Sequence, residues 1–179
     1  KGVEDLLCAW TGLHRDYPDW KLQIVGPAHP EYQDILRARF PVDGVDYMGE
    51  RSHGEALQII AASSVFVLPS HTEGFPNSIL EAMALSKCVL GSSVGAIPEM
   101  LANGCGMVIP PQRPQELERA LRQLLDEPET RMECGQKAAA KVSSTYSIEH
   151  VFAAYLTEWT NASMNNTSQI NSNADSAGA

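Results

Sequence analysis

The sequence predicts an α/β protein built on a doubly wound, mainly parallel sheet, Rossmann-like in class, with further helices at its C-terminal end. Apolar residues at helical spacing alternate with short continuous apolar runs to about residue 110, which is the βαβ rhythm. One of those runs, Val65 to Leu68, is apolar throughout, as a parallel strand covered on both faces is. A length of 179 residues, with 44% hydrophobic and 20% charged, suits one soluble core.

Taken in order, Val3 to about Tyr17 reads as a helix through Val3, Leu6, Leu7 and Trp10. Leu22 to Val25 reads as a buried strand stopped by Gly26-Pro27, Tyr32 to Phe40 as a helix, and Val45 to Met48 as a strand. Glu55 to Ala62 is helical by its Ala56, Leu57, Ile59 and Ile60, and Val65 to Leu68 is a strand closed by Pro69. A helix from about Ile79 to Leu85, a strand around Val89 and Leu90, a turn of helix near Glu99 and a strand from Met107 to Ile109 complete the sheet. Beyond Pro114 the pattern is helical only. Leu117, Ala120, Leu121, Leu124 and Leu125 make an amphipathic stripe, Pro128 separates it from a helix over Glu129 to about Val142, and a last helix spans Ile148 to Trp159. From Asn161 to Ala179 the composition of Asn, Ser, Ala and Thr buries too little to offset ordering, so residues 161–179 read as a disordered tail beside a 1–160 domain.

Composition narrows the function classes. A net charge of −9 argues against a broad basic surface for nucleic acid or anionic lipid. The four cysteines, Cys8, Cys88, Cys105 and Cys134, form no CxxC pair and no disulfide framework, which reads as reduced thiols in a cytoplasmic protein. No apolar run is long enough to span a bilayer. There is no HExxH, no Asp-rich metal motif and no GxxxxGK[ST] loop, and the histidines show no shared metal spacing, so no metal or cofactor is expected. The chain opens on Lys1 and runs at once into a helical pattern, as a piece of a longer protein would.

In an open parallel sheet, ligands bind beyond the carboxyl ends of the strands. The loop after Val65 to Leu68 is therefore the first place to look. It carries Glu73, then Gly74, which permits close backbone approach, and Ser78 is placed to start a helix. Amides at Ser78, Ile79 and Leu80 would offer a phosphate the positive end of that helix. Glu73 and Glu81 would then flank one anion, which two acids repel; their natural partners are sugar hydroxyls. Two readings stand for Glu81, because Ser78 to Glu81 also spells a capping box in which the Glu serves the helix rather than a ligand. Glu73 and His71 likewise read either as ligand contacts or as solvated loop residues.

The residues EGFPNSILEAMA, Glu73 to Ala84, followed by VGAIPE, resemble the C-terminal domain of retaining GT-B glycosyltransferases of the group 1 or family 4 class. Glu73 and Glu81 stand in the E-x7-E arrangement of that class, and the resemblance runs from Lys1 to about Trp159. It implies that Lys1 of the Lys1-Gly2 pair neutralises a departing diphosphate and that Glu73 lies near the hydroxyls of the donor sugar. Gly74, Phe75, Pro76 and Asn77 would line the donor site, Ser78, Ile79 and Leu80 would meet the diphosphate, and Glu81 would hold the ribose. Tyr47, Met48 and Gly49 would hold the base through their backbone.

The sequence departs from the common pattern at Ser86, Cys88 and Ala96, where Gly, Pro and Gly are usual; Ala96 adds a methyl near a glycine turn. Family members also carry an N-terminal acceptor domain and an arginine shortly before the Lys-Gly pair, neither of which stands in this sequence. The implied partners are thus a nucleotide-diphosphate sugar and the missing acceptor domain, with peripheral membrane contact open only through a parent protein. The implied reaction is retaining sugar transfer to a glycan, lipid or small molecule in glycan biosynthesis, without a metal, the 179 residues alone being close to inactive. A GT-B-like epimerase or phosphorylase, and a non-catalytic nucleotide-binding module, are the alternatives.

Overall fold

The computed structural model describes residues 1–147. The helix expected over Ile148 to Trp159, the tail from Asn161 and the domain boundary at residue 160 lie outside the described residues. Lys1–Ala140 form one compact unit, and the chain from Lys141 belongs to a second, of which the described part is the end of one helix and a π-helical turn, Val142–Tyr146.

The predicted alternation is present: α1 (Val3–Leu13), β1 (Leu22–Val25), α2 (Pro30–Arg39), β2 (Val45–Gly49), α3 (His53–Ala62), β3 (Val65–Leu68), α4 (Asn77–Ala84), β4 (Cys88–Ser92), α5 (Ile97–Met100), β5 (Met107–Ile109), α6 (Pro114–Asp126) and α7 (Pro128–Lys141). The ends differ where local chemistry decides them. The first helix stops at Leu13 instead of about Tyr17, because Tyr17 precedes Pro18 and the residue before a proline is pushed out of the helical region. Helix α3 starts at His53, two residues earlier than expected. Ser52 caps it through a complete capping box, its side chain accepting from Glu55 N–H while the Glu55 carboxylate accepts from Ser52 N–H.

All strand pairs are parallel, but they form two hydrogen-bonded sheets rather than one, β1-β2 and β3-β4-β5. In register, Leu22 faces Val45, Val65 faces Cys88 and Leu90 faces Met107. Every residue of β4, which pairs with β3 and β5, is buried, whereas the all-apolar β3, expected to be covered on both faces, is half-buried.

Helices cover both faces of β4. Leu6, Trp10 and Leu13 of α1 interlock with Leu117, Leu121 and Leu124 of α6 in one cluster with Leu90 and Ile109. The other layer is α4 and α5, whose Ile79, Met83, Ile97 and Met100 have no exposed surface. Gly91 lets this layer close, since a Cβ there would lie 2.7 Å from Ile97 Cγ2. The carboxyl ends of β3, β4 and β5 are thereby held from below, and the loops that follow them gather above that sheet.

Candidate functional site

Three backbone contacts assemble the loops. Gly2, at φ 72°, caps the start of α1 so close to the end of β3 that a Cβ on it would stand 1.9 Å from the carbonyl oxygen of Pro69. Gly95, at φ 53°, lies against the next turn of the same loop, where a Cβ would meet the carbonyl oxygens of Glu73 and Gly74 at 2.3 and 2.5 Å. The amide of Ala96 then donates to Gly74 O at 2.9 Å. Ala96 itself sits at φ −79°, so the methyl that replaces the family's usual glycine imposes no backbone strain.

Lys1 and Glu73, expected from the resemblance as the catalytic pair, come together in an ion pair between Lys1 Nζ and Glu73 Oε1. Ser70 Oγ donates to the same carboxylate oxygen at 2.7 Å, and Ser92 Oγ at the end of β4 donates to Ser70 O at 2.6 Å. Both serines are completely buried, so β4 fixes Ser70 and Ser70 fixes Glu73. Burial by itself would raise the Glu73 carboxyl, but the hydrogen bonds from Lys1 and Ser70 and the charge of Lys1 outweigh it and hold the group below its ordinary range. Glu73 is thus a fixed anion. Its lysine partner, with 67% of the side chain exposed, remains open to a ligand.

Helix α4 begins beside this pair, at Asn77, with Pro76 as its N-cap and no side-chain cap. The capping-box reading of Ser78 and Glu81 is therefore not the one realised. Ile79 N–H turns back to Pro76 O at 3.1 Å, and Ile79 is fully buried, while the amides of Asn77 and Ser78 make no hydrogen bond among the described residues. An uncapped first turn of this kind is an anion-seeking end. Glu81 goes elsewhere: its Oε1 accepts from His53 Nε2 at 2.8 Å.

Around this centre, Gly74 has open space where a Cβ would stand, Phe75 is half exposed and Pro76 is buried. At the end of β2, Gly49 adopts φ 68° and accepts from Gly26 N–H at 2.9 Å. The Tyr47 ring packs under the Arg37 guanidinium, 4.7 Å from its centroid. His71 is exposed but not free. Its Nε2 donates to Asp5 Oδ2 at 2.7 Å and its Nδ1 accepts from Gln112 Nε2 at 3.4 Å, tying the loop to α1 and to the β5–α6 turn.

Ser70, Ser92, His53 and Gly95 are site residues that sequence reasoning did not single out. Only His53 carried a readable signal, since Ser52-x-x-Glu55 marks a helix start and puts His53 in its first turn.

The family model described as "Glycosyl transferases group 1" matches residues 1–141. Among curated relatives, the alpha-D-kanosaminyltransferase of Streptomyces kanamyceticus is 32% identical over 151 residues, covering 83% of this chain and 39% of that protein. The chain spans about two fifths of the length of the relatives it matches first, 39%, 44% and 38%. Among solved structures, the C-terminal domain of the glycosyl transferase group 1 family protein LpcC from Francisella tularensis superposes with a TM-score of 0.74 at 25% identity, covering 83% of this chain and 80% of that one. Anabaena Alr3699/HepE in complex with UDP-glucose shares the fold, with a TM-score of 0.77 at 22% identity over 90% of this chain and 45% of that one.

Proposed function

The chain belongs to the glycosyl transferases group 1 family, and from that premise we propose that it is the donor-binding part of a retaining glycosyltransferase that moves a sugar from a nucleotide-diphosphate sugar to an acceptor. The observation that carries this reading is the Lys1–Glu73 pair standing beside the uncapped start of α4. A diphosphate seated on the Asn77 and Ser78 amides would draw Lys1 toward its leaving oxygen, and Glu73, relieved of part of that pairing, would accept from donor-sugar hydroxyls. Fixed donors aimed at charge that develops on the leaving group are the largest electrostatic aid such a transfer can have, and they ask for no metal. The departing phosphate oxygen would take the acceptor's proton on the same face. Glu81 would hold the ribose hydroxyls and the end of β2 the base. The acceptor, of glycan, lipid or small-molecule type, would be held by a partner domain, the work taking place in the cytoplasm. Among the described residues no helix is long and apolar enough to cross a membrane.

The test is titration of the 179-residue chain with UDP, GDP and ADP sugars by ligand-detected NMR, which registers millimolar contacts, alongside Lys1→Met and Glu73→Gln. One nucleotide series should bind, Lys1→Met should weaken the diphosphate, and Glu73→Gln should weaken the sugar-bearing donor more than the bare diphosphate. Absence of contact with every nucleotide would overturn the reading. Turnover of the donor alone, or with orthophosphate, would replace transfer by epimerisation or phosphorolysis.

A further inference from the structure

We propose that His53 is a positioning residue for nucleotide recognition: it holds the Glu81 carboxylate in one orientation, so that its remaining oxygen is presented to the ribose hydroxyls. The inference rests on the reading of Glu81 as the ribose contact. His53 occupies the first position of α3, fixed by the Ser52–Glu55 capping box, and follows closely on Gly49, where β2 ends. It therefore joins the strand end assigned to the base with the helix assigned to the ribose. Its Nε2 lies 2.8 Å from Glu81 Oε1. An ionised carboxylate only accepts, so Nε2 carries the proton, and Glu81 Oε2 keeps its acceptor capacity without a hydrogen bond among the described residues.

Stability does not account for the pair. The His53 side chain is 72% exposed, and exposed pairs contribute little to folding. What the contact does is orientational. A lone glutamate rotates about its last torsion, whereas one with an oxygen already held offers the other in a fixed place, and recognition of two adjacent hydroxyls depends on that placement.

The experiment measures the affinity of the 179-residue chain for UDP, GDP and ADP against their 2′-deoxy counterparts and takes the ribo-over-deoxy ratio, with thermal unfolding as the check on folding. The ratio should be about tenfold or more in the wild type, as for hydroxyls bonded to a charged acceptor, and should collapse in Glu81→Gln. In His53→Ala it should fall about three- to tenfold, and in His53→Gln, whose amide can still donate to Glu81, it should stay within about twofold of wild type. A ratio that survives His53→Ala but collapses in Glu81→Gln overturns the proposal and leaves the Glu81 reading standing. Uniform weakening of ribo and deoxy ligands in His53→Ala also overturns it, since that is a structural effect. No ratio in the wild type, or one untouched by Glu81→Gln, removes the Glu81 reading and the proposal with it.

Discussion

Two nearby glycines in the loops around Glu73 should respond to alanine in opposite ways. At Gly95 a Cβ would meet Glu73 O at 2.3 Å and Gly74 O at 2.5 Å, and both obstacles are backbone. Restoring an ordinary 3.4 Å contact from 2.3 Å requires the loop to retreat by about 1 Å (3.4 − 2.3). The backbone at φ 53° adds about 1 kcal/mol for any residue with a side chain. Overpacking of this kind costs about 1–3 kcal/mol, and loss of the Ala96 N–H to Gly74 O bond about 1 kcal/mol more. Gly95→Ala should therefore lose about 3–5 kcal/mol by denaturant unfolding. At Gly74 nothing lies within 4 Å of the same atom and the backbone angle is ordinary. Gly74→Ala should stay within about 0.5 kcal/mol of wild type, yet weaken donor binding if a sugar approaches that backbone. Measured together by urea titration and donor affinity, the pair separates scaffold from contact. Gly95→Ala unfolding within about 0.5 kcal/mol of wild type would refute the account of how the two loops are docked.

Ser86 holds φ 57° at the end of α4, where its amide donates to Met83 O and that of Lys87 to Ala82 O in a Schellman arrangement that favours glycine. Ser86→Gly should accordingly raise stability by about 0.5–1 kcal/mol, read as a shift in unfolding midpoint at unchanged slope. The lowered Glu73 pKa makes its contribution to stability present above the ordinary glutamate range and lost as pH falls through the lowered value. Removing the lysine in Lys1→Met should move that acid limb to higher pH in unfolding curves, and no movement would separate Glu73 from Lys1. Burial pushes the Cys88 thiol up to about 12, with neighbouring Cys134 adding to the rise, so Cys88 should resist a thiol reagent at neutral pH while exposed Cys8 reacts at once.

What could be read from the chain was what depends on local pattern. The alternation of helices and strands, β3 and β5 to the residue, and the α6 stripe all follow from apolar spacing and proline placement. Resemblance assigned Lys1 and Glu73 to one site but did not foretell their ion pair, because the two lie 72 positions apart and spacing says nothing about such a contact. Of the two readings open for Ser78 and Glu81, the capping box is the one not realised, and the reason is physical. Both Ser52 and Ser78 have a glutamate three residues on, but Pro76 already takes the N-cap place at α4 and leaves Ser78 inside the helix, where its carboxylate partner is free to reach His53. Buried Ser70 and Ser92 were invisible because a serine's worth there is set by a neighbouring strand, not by its own surroundings in sequence. The expectation that β3 is covered on both faces overstated its depth, since an apolar run reports a preference for burial and not its extent: β3 is half-buried where β4 is fully buried.

The Ser92–Ser70 bond has a consequence for motion. Ser92 belongs to β4, every residue of which is buried and which pairs with β3 and β5. Its Oγ holds Ser70 O at 2.6 Å, while Ser70 Oγ holds the Glu73 carboxylate. A buried hydroxyl rooted in that strand limits how far the Glu73 loop can breathe.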